Sequence, residues 1–373
     1  MKININKFSY EDVVSAYYDC RKHKSNKYDC IRYEVKFNRN LYNLYNELNS
    51  GKYKVSKFSY IYITQPKPRE IWMSDFKDRV VHHLVCGFLE PFIVPKLISS
   101  TYACLKGRGT LKAAMDVRDS VYKETNNFDK YTALNTFYLK MDIHNYFCSI
   151  NKEKLWNILK EYIEENSLLG QIVKEIVLVD VTRGVNRPNE IPINIEKSLW
   201  SSTSAGKGLP IGNLTSQFFS NVYLNGLDHF IKDELGFKNY FRYVDDILVI
   251  DKDKEKLKEL ELIIDNYLRA NLGLYLNRNK TKINRVYNGV DFVGYVVKPY
   301  GILLRKRLKC KIAQAINRFR RRCDNISSLN SYLGKMKGTK SHKLKMRIFN
   351  KCTIPFITKG EGNKISCAKG ILA

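Results

Sequence analysis

The chain has 373 residues, 44% of them apolar, enough to bury the core of one large or two to three ordinary domains, which excludes a disordered tail. Its 64 Lys and Arg against 37 Asp and Glu leave a formal net charge of +27, so a polyanion is the expected partner. No run approaches the roughly 18 apolar residues of a spanning helix, and Met1 to Tyr10 lacks the apolar core of a signal peptide; no membrane association and a cytoplasmic location are expected.

In chain order, residues 1–54 hold two helical patterns, Tyr10 to Cys20 and Asn40 to Asn49, without a chemical signal. Phe58 to Ile63 reads as a strand broken by Pro66 and Pro68, and Asp75 to Leu89 as a helix that Pro91 stops. Gly107, Arg108 and Gly109 make a flexible basic turn ahead of a helix from Thr110 to Val121. Thr136 to Ile143 reads as a strand and Lys152 to Glu164 as a helix. Residues 180–205, polar and with two prolines, read as a strand-rich excursion or loop.

Gly206 to Asn213 then leads into an apolar helix through Phe230. Two strands surround Asp245 and Asp246 between Asn239 and Ile250, and an amphipathic helix follows from Lys254 to Ala270. Val286 to Val297 and Tyr300 to Leu304 read as a hairpin whose turn is Pro299, Tyr300 and Gly301. This order fits a sheet covered by helices on one face. Residues 305–351 carry sixteen Lys or Arg and one acid, Asp324, a local charge of +15 that makes this part the strongest electrostatic handle. Nine cysteines are scattered without a CxxC pair or a nearby His cluster, the pattern of reduced cytosolic thiols rather than of a zinc site.

The carboxylates carry the chemistry. Asp142 ends an apolar strand, while Asp245 and Asp246 sit where one apolar strand turns into the next. Carboxylates at the ends of adjacent buried strands can converge on a pair of divalent ions, of which one activates a hydroxyl and the other steadies a triphosphate. Oxygen ligands of this kind suit magnesium. Each piece alone is weak, since Asp is common in turns for conformational reasons.

Together these residues resemble a family. Tyr243 Val244 Asp245 Asp246 resembles the polymerase box of reverse transcriptases, Asp142 Ile143 with Tyr146 Phe147 resembles its upstream metal motif, and residues 208–217 resemble its nucleotide-site motif. Lys280 in Asn279 Lys280 Thr281, Phe292 to Tyr295 as a primer grip, and Asp78 Arg79 in the fingers agree in order. The resemblance implies an α+β, right-hand polymerase fold: an N-terminal extension (1–54), interleaved fingers and palm with an antiparallel sheet covered by helices (55–300), and a basic helical thumb and tail (301–373).

It further implies an RNA-directed DNA polymerase, a nucleotidyltransferase that uses two Mg2+ ions, with Mn2+ as a substitute. Asp142, Asp245 and Asp246, with the backbone of Ile143, would hold the ions. Lys280 would give a proton to the departing pyrophosphate. Lys67, Arg69 and Arg79 would contact the triphosphate. Phe147, five residues after Asp142, would be a steric gate against the 2′-hydroxyl; Ile211, Gly212 and Gln217 would complete the nucleotide site, Gly212 by letting the backbone approach closely. A thumb helix such as Lys309 to Arg322 would lay cations on the duplex backbone.

The nucleotide motif here runs Ile211 Gly212 Asn213 Leu214 Thr215 Ser216 Gln217, where retroviral and group II intron enzymes begin with Gln and end in Ser-Pro. That variant resembles the reverse transcriptases of diversity-generating retroelements, which make an adenine-mutagenised cDNA. The implied partners are an RNA template, an RNA/DNA duplex, deoxyribonucleoside triphosphates and a small basic accessory protein. The alternatives are a retron-type or defence-associated bacterial enzyme and, outside enzymes, a basic nucleic-acid-binding protein.

Overall fold

A computed structural model of the chain describes residues 2–64, 67–186, 198–298, 300–320, 326–351, 356–358 and 365–367. Pro66, Pro299 and the centre of the 180–205 excursion lie outside the described residues. The chain forms two compact units, each assembled from three stretches: Met1–Thr101, Ile143–Gly236 and Leu262–Asn277 in the first, Tyr102–Asp142, Phe237–Glu261 and Arg278–Ala373 in the second.

The first unit is organised by the helix Phe76–Ile93. Asp75 caps it by accepting from the Lys77 N–H, which satisfies one of the donors that every helix start leaves open. The helix passes through Pro91 instead of stopping before it. Proline in the last turn loses a single backbone bond, and Leu89 and Ile93, both fully buried four residues apart, keep that turn against the core. Helices Tyr10–Arg21, Tyr28–Glu34 and Phe37–Asn49 complete this packing: the rings of Tyr17 and Tyr33 meet Phe37 and Phe76 at centroid distances of 4.8 and 5.1 Å. Residues 1–54 are therefore built into the core of this unit.

Strands β1 (Ser59–Ile63) and β2 (Arg69–Met73) form an antiparallel hairpin in the same unit. The helix expected from Lys152 to Glu164 ends at Leu159, where the chain turns so that Ile163 is buried and pairs with Ile3. Of the 180–205 excursion, the described residues form turns, a short helix Leu199–Ser202 and a 3-10 turn rather than strands. The buried Glu70 carboxylate holds that helix by accepting from the Ser198 hydroxyl at 2.5 Å and the Leu199 N–H at 3.0 Å. The apolar helix expected through Phe230 is divided at Leu224 into Leu214–Tyr223 and Asn225–His229.

The second unit contains a four-stranded antiparallel sheet of β3 (Phe137–Asp142), β4 (Tyr240–Tyr243), β5 (Asp246–Asp251) and β6 (Lys282–Arg285), in the order β4-β5-β3-β6. Helix Thr110–Glu124 packs Ala113, Val117 and Val121 into one core with Tyr138, Leu248 and Ile250 of that sheet. A three-stranded antiparallel sheet of β7 (Val290–Phe292), β8 (Tyr295–Lys298) and β9 (Gly301–Leu304) shares this core, as do Ile312 and Ile316 of the basic helix Lys306–Arg320. The result is an α+β fold with antiparallel sheets. Among the described residues no helix is long and apolar enough to cross a membrane.

Candidate active site

The register of β3 against β5 decides where the carboxylates lie. Asp142, the last residue of β3, is directly opposite Asp246, the first residue of β5, and Asp246 is also opposite Tyr243 of β4. Directly opposed residues of an antiparallel pair lie only about 4.5–5.5 Å apart at Cβ. Two like charges there oppose each other, an arrangement that structure alone does not favour.

Asp245 belongs to the two-residue turn between β4 and β5. Its neighbour Val244 has φ +56°, a left-handed conformation that a β-branched residue rarely adopts. The fully buried Arg242 secures the turn by donating from Nη1 to the Val244 carbonyl at 3.2 Å. Strain of this kind persists where the surroundings over-determine it, and such places are often functional.

Burial first, then the charges of Asp246 and Asp142, push the Asp245 carboxyl up to about 6. Burial raises Asp246 as well, against the Lys140 ammonium, which pulls it down. Lys280 Nζ lies 2.6 Å from Asp142 Oδ1, with Asp142 only 7% exposed. Thus the structure brings Asp142, Asp245, Asp246 and Lys280 into one electrostatic group. Among the described residues, no three His, Cys, Asp or Glu side chains are arranged as a ready ligand set. The donors nevertheless fit divalent cations: they are oxygen only, crowded and part-buried, and their mutual repulsion is what a cation relieves.

The Asp245 shift gives a stability prediction with a defined sign. A folded-state value near 6 against an ordinary value of 3.8 means that the carboxyl's stabilising contribution is complete below about pH 4 and is lost as the pH rises through 6. In EDTA, parent stability relative to Asp245→Asn should fall across that window by on the order of 2 kcal/mol, and Mg2+ at pH 7 should restore most of it. Thermal melts at pH 4.5 to 7.5 check this; a pH-independent difference between the two proteins would contradict it.

Sequence reasoning missed Lys140. It precedes Asp142 by two positions, so period-two alternation puts both on one face of β3. Its Nζ donates to the Asp291 carbonyl at 3.1 Å, while the Asp291 carboxylate pairs with Arg305, and burial lowers the Lys140 pKa. A lysine two before a strand-end aspartate was the signal available.

The nucleotide-motif residues belong to the first unit. Phe147 lies in the short helix Tyr146–Ser149, edge-on to Tyr146 at 5.5 Å, and its carbonyl accepts from the Leu209 N–H at 2.8 Å. This bond ties Phe147 to the segment carrying Ile211 and Gly212. The Ile211 carbonyl accepts from the Trp72 N–H of β2 at 3.3 Å, and Gly212, at φ +119°, would place a Cβ only 3.3 Å from the Ile71 side chain. The backbone conformation favours glycine there, and a Cβ would also need the Ile71 side chain to shift slightly. Gln217 lies one turn into the helix Leu214–Tyr223 and is partly buried.

Lys67 and Arg69 are exposed at the end of the β1–β2 hairpin, where Arg69 pairs across to Ile63. Arg79 is engaged elsewhere: it pairs with Asp29 and lies over the Phe76 ring at 5.4 Å. Asp78 is buried and accepts from the Tyr53 hydroxyl and the Ser56 N–H, both at 2.9 Å, a structural tie.

Residues 57–297 match the family described as reverse transcriptase (RNA-dependent DNA polymerase). The chain belongs to that family. This reverse transcriptase is 22% identical over 298 residues to protein YkfC of Escherichia coli (strain K12), covering 71% of each chain. It is 29% identical over 110 residues to protein P of a hepatitis B virus of genotype C, covering 30% of this chain and 13% of that protein. Among solved structures, telomerase from Candida albicans in complex with a fragment of telomeric RNA aligns with a TM-score of 0.45 and 12% identity, covering 81% of this chain and 55% of that one. The family match, with antiparallel sheets covered by helices, is what makes the α+β architecture a polymerase fold.

Proposed function

We propose that this reverse transcriptase copies RNA into DNA at Asp142, Asp245 and Asp246, and that it is the error-prone enzyme of a diversity-generating retroelement. The observation that carries the catalytic assignment is the opposition of Asp142 and Asp246 across β3 and β5, with Asp245 in the adjoining turn. Two divalent ions, when bound by these carboxylates and the Ile143 carbonyl, would activate the primer hydroxyl and neutralise charge on the triphosphate. Lys280, which pairs with Asp142, would hold a proton for the departing pyrophosphate. Lys67 and Arg69 are the cations at the hairpin end for phosphate oxygens. In this reading the four-stranded sheet is the palm and helix Lys306–Arg320 belongs to the thumb, whose phosphate contacts give affinity without sequence information.

The finer assignment rests on Ile211 and Gln217. An Ile side chain cannot offer the amide donor and acceptor that Gln supplies at that position in other reverse transcriptases, so a polar contact that discriminates base pairs is lost. Physical reasoning gives looseness only; the adenine preference comes from the resemblance. The expected result is that cDNA from the parent carries substitutions concentrated at template adenines, and that Ile211→Gln lowers their frequency severalfold. Sequencing cDNA made from one RNA by both proteins checks this. Equal frequencies would remove Ile211 from the account, and an accurate parent would favour a retron-type or defence role.

A further inference from the structure

Beneath the nucleotide motif lies a buried polar pair with no role in the reading above. Asn213, 2% exposed, accepts at Oδ1 from the Ser74 hydroxyl at 2.9 Å and the Ser74 N–H at 3.5 Å. A backbone N–H can be met only by the amide oxygen, so these contacts fix the orientation of the Asn213 amide. Its Nδ2 then points away from Ser74, and among the described residues nothing accepts from it.

His82 comes from a different element, the helix Phe76–Ile93, and is also 2% exposed. Its Nδ1 is buried without a protein partner. Both side chains line one cavity of about 10 Å³, whose wall also includes the apolar Phe58 and Phe219 and the hydroxyl-bearing Thr215 and Ser216. A volume of that size admits the centre of one water molecule, and buried waters characteristically satisfy polar groups that lack protein partners. Burial holds the His82 ring far down, at about 3, so the imidazole is neutral at working pH and one ring nitrogen can accept.

We propose that a single buried water donates to His82 Nδ1 and accepts from Asn213 Nδ2, making His82 a positioning residue for the nucleotide motif at 211–217. Asn213 precedes the helix Leu214–Tyr223 and directly follows Gly212, so holding its amide holds the backbone on either side. The proposal rests on the reading of this motif as the nucleotide site. The water is itself independent of that reading.

The test combines a crystal structure of the full chain, at a resolution that shows ordered waters, with single-nucleotide kinetics of His82→Leu and His82→Gln. One water within about 2.7–3.2 Å of both nitrogens is expected. His82→Leu removes the acceptor that holds the water and should raise the KM for nucleotide about tenfold with kcat within about twofold, while His82→Gln, which keeps an acceptor, should stay near the parent value. A dry cavity overturns the proposal, as does a His82→Leu protein that loses thermal stability with no change in KM. If His82→Leu does not fold, the crystal structures of the parent and His82→Gln decide. A parent that extends no primer but shows the water would instead overturn the nucleotide-site reading.

Discussion

Phe147→Ala should incorporate ribonucleotides relative to deoxyribonucleotides about 100-fold more readily than the parent. A shape-based filter rejects a substrate by a clash, and removing the clashing group removes the penalty outright. The bond from Leu209 N–H to its carbonyl fixes the Phe147 backbone, and its ring meets Tyr146 edge-on. A clash worth about 2.7 kcal/mol corresponds to two powers of ten in kcat/KM. The ratio of kcat/KM for GTP and dGTP opposite template cytosine reads the effect directly. If the ratio is unchanged while thermal stability falls, Phe147 is a packing residue and the sugar is selected elsewhere.

Much of the architecture around the carboxylates is legible in the sequence because two simple periodicities coincide there. The apolar runs before Asp142 and on either side of Asp245 and Asp246 form β3, β4 and β5 nearly as read, since most of their positions are buried and Lys140 and Arg242, the basic residues within them, each find a backbone carbonyl. The helix before Pro91 was legible at its start, where Asp75 caps it, and not at its end, where burial of Leu89 and Ile93 outweighs one lost hydrogen bond.

What the sequence conceals are pairings between distant residues. Lys280 reaches Asp142 across 138 positions, and Arg79 is taken by Asp29, 50 positions earlier. In a chain with 64 basic residues, charge alone cannot say which cation meets which acid. A basic residue next to Asp78 reads as a phosphate contact, and its pair with Asp29 has no local signal. Lys140 was passed over for the opposite reason, as one more lysine in a basic chain, although its place on the face of Asp142 was readable. His82 and Asn213 give no sequence signal at all, because neither their burial nor the space between them has a local pattern.

The central claim is that Asp142, Asp245 and Asp246 make DNA on an RNA template with divalent ions. Replacing Asp245 with Asn keeps the side chain's size and its place in the turn while removing a charge that would bind the ions. Loss of a catalytic ion's contribution, several kcal/mol, lowers the chemical step by about 10³-fold or more. The measurement is single-turnover extension of a DNA primer on a defined RNA template in Mg2+, comparing the parent with Asp245→Asn at equal template-primer occupancy. The account predicts extension by the parent that EDTA abolishes, and a rate at least about 10³-fold lower for Asp245→Asn with binding intact. Extension by Asp245→Asn at the parent rate would contradict it.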